Sequence, residues 1–339
     1  MGGGEVSIRD GRKRRGAASR SGSGTGRGRG AGDSGKTCDG LPMIERLHSA
    51  IVLVADLETA TRDYARLLGQ PAARVETDLE SGLRSSFFGL ANTGLELREA
   101  TNATRGSEQE SKEGKKAERL GQAGLRFVCD LDDPTAVLSA QGIEISKSEQ
   151  CVGRMDGGAL DRCYGIHVLD RAASRGNSVE LITGETVQIE PNPEGDSDPA
   201  ARVRSLDHVV VMSPAPDATR DFYGEGLGLR LALDKSFEKR GVRLIFFRVG
   251  GTTVEIGAKL KVDPQPEKSD RFGGLAWQVP DIDAFQARLA ADGFDVSEVR
   301  TGHKEGTRVC TVRDPVHGVP TLIIEPVQDA SSNLGGAGS

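Results

Sequence analysis

The sequence predicts an α+β fold: four βαβββ modules forming two curled mixed sheets with helices outside. Three observations lead there. The body repeats itself in an A-B-A-B order, each repeat opens with a short apolar strand followed by a helix pattern, and three more strand-like stretches with glycine-bearing turns close each repeat.

The repeat is read directly from the residues. Ala-Thr-Arg-Asp-Tyr at 60–64 matches Ala-Thr-Arg-Asp-Phe at 218–222, and RSSFFGLANTGLEL at 84–97 matches RLIFFRVGGTTVEI at 243–256. GLRFVCDLDD at 124–133 matches GLAWQVPDID at 274–283, and SRGNSVELI at 174–182 matches VHGVPTLII at 316–324. The modules therefore run 43–101, 120–183, 203–262 and 270–327. The first two make a domain over 43–183, and the last two make another over 203–327. In the fourth module, HVVVM-like GLAWQV is the first strand, Asp281 or Asp283 caps a helix with Ile282, Phe285 and Leu289 on one face, and Gly293 ends it. The stretches DVSEVR, TRVCTVRD and TLIIE are its remaining strands. One helix covers only one face of a four-stranded sheet, so two modules pair around a shared concavity.

The segments between are different material. Residues 1–42 hold 13 of the 45 glycines, and up to residue 40 they set nine Lys or Arg against four Asp or Glu. With so few apolar side chains, this tail cannot offset its ordering entropy and is expected to be disordered. It reads as a basic arm touching RNA or phosphate weakly, as a transit segment, or as sequence ahead of a start at Met43. Residues 102–119 are a charged insertion, 184–202 a Pro/Asp/Gly-rich linker, and 328–339 a disordered end.

Composition excludes several classes. The net charge of -6 does not suit a nucleic-acid-binding body, and no apolar run reaches the ~18 residues of a membrane helix. Five scattered cysteines without a CxxC pair argue against a disulfide framework or zinc knuckle and for a reducing, cytoplasmic setting. There is no GxGxxG after a strand, no P-loop, no GxSxG elbow and no HExxH.

Four features carry a family likeness: His208 opening a strand, Phe222-Tyr223 at the helix end, Gly-Leu-Gly-Leu at 226–229, and Asp314-Pro315 with Gly318 before a last strand. With the repeats, they resemble the vicinal oxygen chelate superfamily over about residues 43–327. This is the glyoxalase, bleomycin-resistance and extradiol-dioxygenase group. The resemblance implies metal-ligand positions at the start of the first strand and midway along the fourth strand of each module. Those positions hold Ala50 and Glu96, Gly124 and Glu180, His208 and Glu255, and Gly274 and Leu322. His208 and Glu255 are the complete pair, with Glu180 as a third ligand if the second module pairs with the third. Such a set would hold a divalent Fe, Mn, Ni or Zn ion, with Glu255 and Glu180 catalytic and Arg126 and Gln278 orienting the substrate. His48 precedes Ala50 by two residues and reads as structural. Trp277 and Tyr223 read as core, and Thr301 to Arg308 as a hairpin or an anion-gripping lid.

The expectation is thus a cytoplasmic monomer or homodimer acting on a small oxygenated substrate as a metal-assisted isomerase, lyase or dioxygenase. The alternative is a metal-free protein of the bleomycin-resistance type that binds or sequesters a small molecule, since Gly124 and Gly274 widen a cavity while removing ligands.

Overall fold

The computed structural model describes residues 43–78, 82–100, 123–154, 160–184 and 197–326. The basic tail (1–42), the insertion (102–119), residues 185–196 of the expected linker and the end (328–339) lie outside the described residues. The described chain folds as two curled mixed sheets flanked by helices, in the tandem βαβββ arrangement that the repeats predict.

The first sheet is built from β1 (Ile44–Val54), α1 (Leu57–Leu68), β2 (Arg74–Thr77), β3 (Arg84–Gly89) and β4 (Gly94–Glu99), then β5 (Ala123–Cys129), α2 (Thr135–Ala140), β6 (Ile145–Arg154), β7 (Leu160–Leu169) and β8 (Ser178–Thr183). Its strand order is β2-β3-β4-β1-β5-β8-β7-β6. The second sheet follows with β9 (Ser205–Met212), α3 (Pro216–Asp221), β10 (Arg230–Phe237), β11 (Val242–Val249) and β12 (Thr252–Lys259). It ends with β13 (Arg271–Gln278), α4 (Ile282–Ala291), β14 (Asp295–Val296), β15 (Arg300–Thr301), β16 (Arg308–Asp314) and β17 (Thr321–Glu325), in the order β10-β11-β12-β9-β13-β17-β16-β14. Each seam joins the two first strands antiparallel, β1 with β5 and β9 with β13. The first module therefore pairs with the second, and the third with the fourth.

Local sequence explains the helices. Asp56 caps α1 by accepting the Thr59 amide at 2.6 Å, and Gly69 (φ 77) closes it with its amide on the Ala65 carbonyl at 2.9 Å. Asp281 does the same for α4 with the amides of Asp283 and Ala284. Ile282, Phe285 and Leu289 are buried, and Trp277 is fully buried in the same core. The helix α3 runs into a π turn, Phe222–Gly226, that buries Tyr223.

Alternation then assigns the faces. Ala50, Val52, Leu95, Leu97, Leu125, Phe127, Val179 and Leu181 of the first sheet share one apolar core with Val209, Val211, Val254, Ile256, Leu275 and Ile323 of the second. The other face of each sheet carries the polar residues discussed below. The halves are also stitched by polar contacts. Asn92 reaches the Leu206 and Gly251 carbonyls and accepts the Leu206 amide, while His317 sits 3.1 Å from the Asp63 carboxylate.

One expected strand is broken. DVSEVR is regular strand only at Asp295–Val296 and at Arg300, which continues into Thr301, both against β16, and the Ser297 amide also donates to the Thr311 carbonyl at 2.9 Å. Between them the Ser297 hydroxyl accepts the Thr311 amide, so a side chain takes a place that a backbone carbonyl would hold in a regular ladder. Residues Thr301 to Arg308 form the hairpin that follows, closed by the Gly302 amide on the Thr307 carbonyl at 2.8 Å. No described helix is long and apolar enough to cross a membrane.

Candidate functional site

The concave face of the second sheet brings His208, Glu255 and Gln278 together. Register sets Thr253, His208, Ala276 and Leu322 in one row across β12, β9, β13 and β17, and Phe246, Glu255 and Val210 in the next. His208 Nε2 lies 3.6 Å from Glu255 Oε2. Its other ring nitrogen, Nδ1, donates to Asp207 Oδ1 at 2.7 Å. The Gln278 amide donates to the second Asp207 oxygen at 2.5 Å and accepts from the Ser205 hydroxyl at 3.1 Å. Gln278 thus acts through Asp207 and His208.

The two carboxyls titrate in opposite senses. Burial opposes ionisation of Asp207, but hydrogen bonds from His208 and Gln278 outweigh it and hold its carboxyl below the usual range. Burial pushes Glu255 up, only partly countered by His208 and Arg240. Beside this polar floor, Ala276, Val309 and Ile324 form a small apolar cluster with Leu322 packed against it.

The concave face of the first sheet is closed by charge. Arg98 donates Nε to Glu96 at 2.6 Å and both terminal nitrogens to Glu180 at 2.6 and 3.0 Å. Arg126 donates to Glu96 at 2.8 Å and twice to the Glu180 Oε2 atom, at 2.9 and 2.7 Å. Two guanidiniums thus neutralise two carboxylates, all four groups being nearly buried. Burial alone would raise Glu96, yet Arg126 and Arg98 bring it down to about 2, and the same cations lower Glu180. His48, buried next to them, is pushed down to about 3 by burial and then by the charge of Arg126, so it is neutral in the fold.

Glu180 and Arg126 therefore meet each other in the first sheet, and Glu180 does not join His208 and Glu255 in the second. The physical reason is the module pairing: the seam strands bond first to second and third to fourth, which sends Glu180 to the other concavity. Among the described residues no three of His, Cys, Asp and Glu converge as a metal-ligand group. The oxygens of Glu96 and Glu180 are taken by arginines, and in the fourth module Gly274 has no room for a ligand. Its φ is 136, and an added Cβ would fall 2.4 Å from the Pro320 carbonyl oxygen. The small residue is dictated by the backbone there, not by cavity width. The residues present do not fit a divalent ion held by three or four protein ligands.

Asp207 and Arg98 were missed by sequence reasoning. Each had a faint signal: Asp207 adjoins His208, and Arg98 stands two residues from Glu96 on the same face of one strand.

Comparison with known proteins agrees with the fold. A sequence model described as the Glyoxalase/Bleomycin resistance protein/Dioxygenase superfamily matches residues 205–321, the half that holds His208 and Glu255. A variant of 4-hydroxymandelate synthase from Streptomyces coelicolor superposes with a TM-score of 0.57 at 18% identity, covering 84% of this chain and 93% of that one. The Mn(II)-bound glyoxalase from Novosphingobium aromaticivorans gives 0.55 at 15% identity over 85% and 84%. An extradiol ring-cleaving dioxygenase from B. fuscum gives 0.54 at 16% over 86% and 75%. No curated protein matches the sequence. The chain has the fold of the vicinal oxygen chelate superfamily.

Proposed function

We propose that this chain binds a small oxygenated molecule on the concave face of its second sheet without a resident metal. The observation that carries the reading is the donor set: His208 and Glu255 converge, while the positions that would complete a chelate are Gly274 and Leu322, the first without space for a side chain. Asp207, itself held by Gln278, keeps the proton of His208 on Nδ1 and leaves Nε2 as an acceptor. Glu255, whose ionisation burial opposes, stands beside His208 as the second polar group facing the ligand. The half-buried Val210, Met212, Phe246 and Leu322 receive the apolar body of the ligand. Arg126 and Glu180 are spent on each other and take no part.

A second reading is favoured by the 3.6 Å approach of His208 to Glu255. In it these two residues, completed by solvent, hold a divalent ion of the Fe, Mn, Ni or Zn kind and the chain is a metal-assisted isomerase, lyase or dioxygenase. Thermal melts with Mn²⁺, Zn²⁺ and a panel of neutral phenols and ketones separate the two. The metal-free reading expects a panel member to raise the melting temperature of the wild type but not of His208→Ala, with the ions inert. Stabilisation by an ion that His208→Ala abolishes would overturn it in favour of the second reading.

A further inference from the structure

A cleft of about 220 Å³ opens between strands of the first sheet and residues 270–272 at the start of β13, and shares no lining residue with the His208 and Glu255 site. Ile51, Leu53 and Phe272 supply apolar wall, and Arg98, Arg171 and Arg271 supply charge. Most of the charged groups there already have partners. Arg98 is bound by Glu96 and Glu180, Glu99 by Arg84 at 3.2 Å, and Asp270 by the Thr219 hydroxyl at 2.7 Å with Arg175 at 3.5 Å.

What is left over is mainly donors, although Asp270 Oδ1, 3.5 Å from Arg175, is a lining acceptor without a hydrogen bond. Among the described residues Arg171 and Arg271 have neither an ion pair nor a side-chain hydrogen bond, and both are exposed. Asn177, also lining the cleft, is only 7% exposed, and its side-chain nitrogen has no acceptor. An unmet buried donor is rare in a native fold and calls for a partner. Two free guanidiniums and one unspent amide outweigh the unmet Asp270 oxygen, over a wall of aliphatic and aromatic carbon.

We infer that this cleft binds a small organic carboxylate: an acid head against Arg171 and Arg271, reached by the Asn177 amide, and a short apolar body on Ile51, Leu53 and Phe272. A guanidinium donates two parallel hydrogen bonds to a carboxylate, which suits it to this head group. The volume admits a single ring bearing a short acidic arm. The inference does not depend on the site of the second sheet.

Benzoate is the probe, with benzamide and inorganic phosphate as comparators, titrated calorimetrically into the full chain. Benzoate is expected to bind at least tenfold more tightly than either comparator. The double variant Arg171→Gln/Arg271→Gln is expected to weaken benzoate at least tenfold while melting at the wild-type temperature without ligand, because both side chains are exposed. His208→Ala is expected to bind benzoate like the wild type. Absence of benzoate binding overturns the inference. So does equal binding by benzamide, tighter binding of phosphate, unchanged affinity in the double variant, or loss of binding in His208→Ala, which would place the acid in the second sheet instead.

Discussion

Replacing Arg126 with methionine removes one of two cations that face two buried carboxylates. The guanidinium makes three charge-assisted hydrogen bonds, at 2.7, 2.8 and 2.9 Å, to Glu96 and Glu180. Each such pair has a Coulomb attraction of about 4 kcal/mol at an effective dielectric constant near 20, before desolvation is subtracted. Breaking a buried pair by deleting one partner costs roughly 3–5 kcal/mol, because the surviving charge stays buried. At about 2–4 °C per kcal/mol for a chain of this size, the melting temperature should fall by roughly 6–20 °C. The pH dependence identifies the cause. In the wild type, Glu96 is lowered from 4.5 to about 2, so its ionisation stabilises the fold above pH 4.5, and this is lost as pH falls towards 2. In Arg126→Met a carboxylate is released from that hold and takes up a proton more readily. The penalty measured by urea unfolding should therefore be smaller at pH 4 than at pH 7. A loss below about 1 kcal/mol at pH 7, or a penalty that grows on acidification, would refute the claim that this network is a closed, buried charge balance.

Gly274→Ala must relieve both an overlap 2.4 Å from the Pro320 carbonyl and a φ of 136, so unfolding should report a loss of roughly 2–5 kcal/mol. Gly124→Ala meets nothing closer than 3.0 Å and should lose clearly less; equal losses would show that backbone strain does not dictate Gly274. His48 is lowered from 6.5 to about 3, so its neutral burial stabilises the fold above pH 6.5, and this is lost progressively as pH falls towards 3. His48→Gln should flatten the stability profile between pH 6.5 and 4, and an unchanged slope in urea melts would assign the acid sensitivity elsewhere. Trp277→Ala should cost about 3–5 kcal/mol by opening a cavity under α4, read from the same melts.

The two halves carry different chemistry on one architecture. The first resolves its buried carboxylates internally, with Arg98 and Arg126 occupying their oxygens. The second keeps Glu255 within 3.6 Å of an imidazole and without an arginine partner of the kind that holds Glu96 and Glu180, so burial leaves it raised. The likeness to solved structures extends over both halves at 15–18% identity and speaks to the fold.

Period and repetition made the architecture legible from sequence. The helix stripe of Ile282, Phe285 and Leu289 and the strand alternation that puts Trp277 beneath it are local consequences of 3.6- and 2-residue spacing, so they survive without knowledge of neighbours. The same alternation put His208 and Glu255 on one face. Three things were beyond its reach. Whether Glu180 meets His208 or Arg98 depends on which first strands share a seam, a hydrogen-bonding choice between segments far apart in the chain. Whether Gly274 is a missing ligand or a backbone necessity depends on the Pro320 carbonyl, 46 residues on. And whether a buried carboxylate is a ligand or half of an ion pair depends on the cation beside it in space, because a charge is assigned its role by its nearest countercharge and by nothing in its own strand.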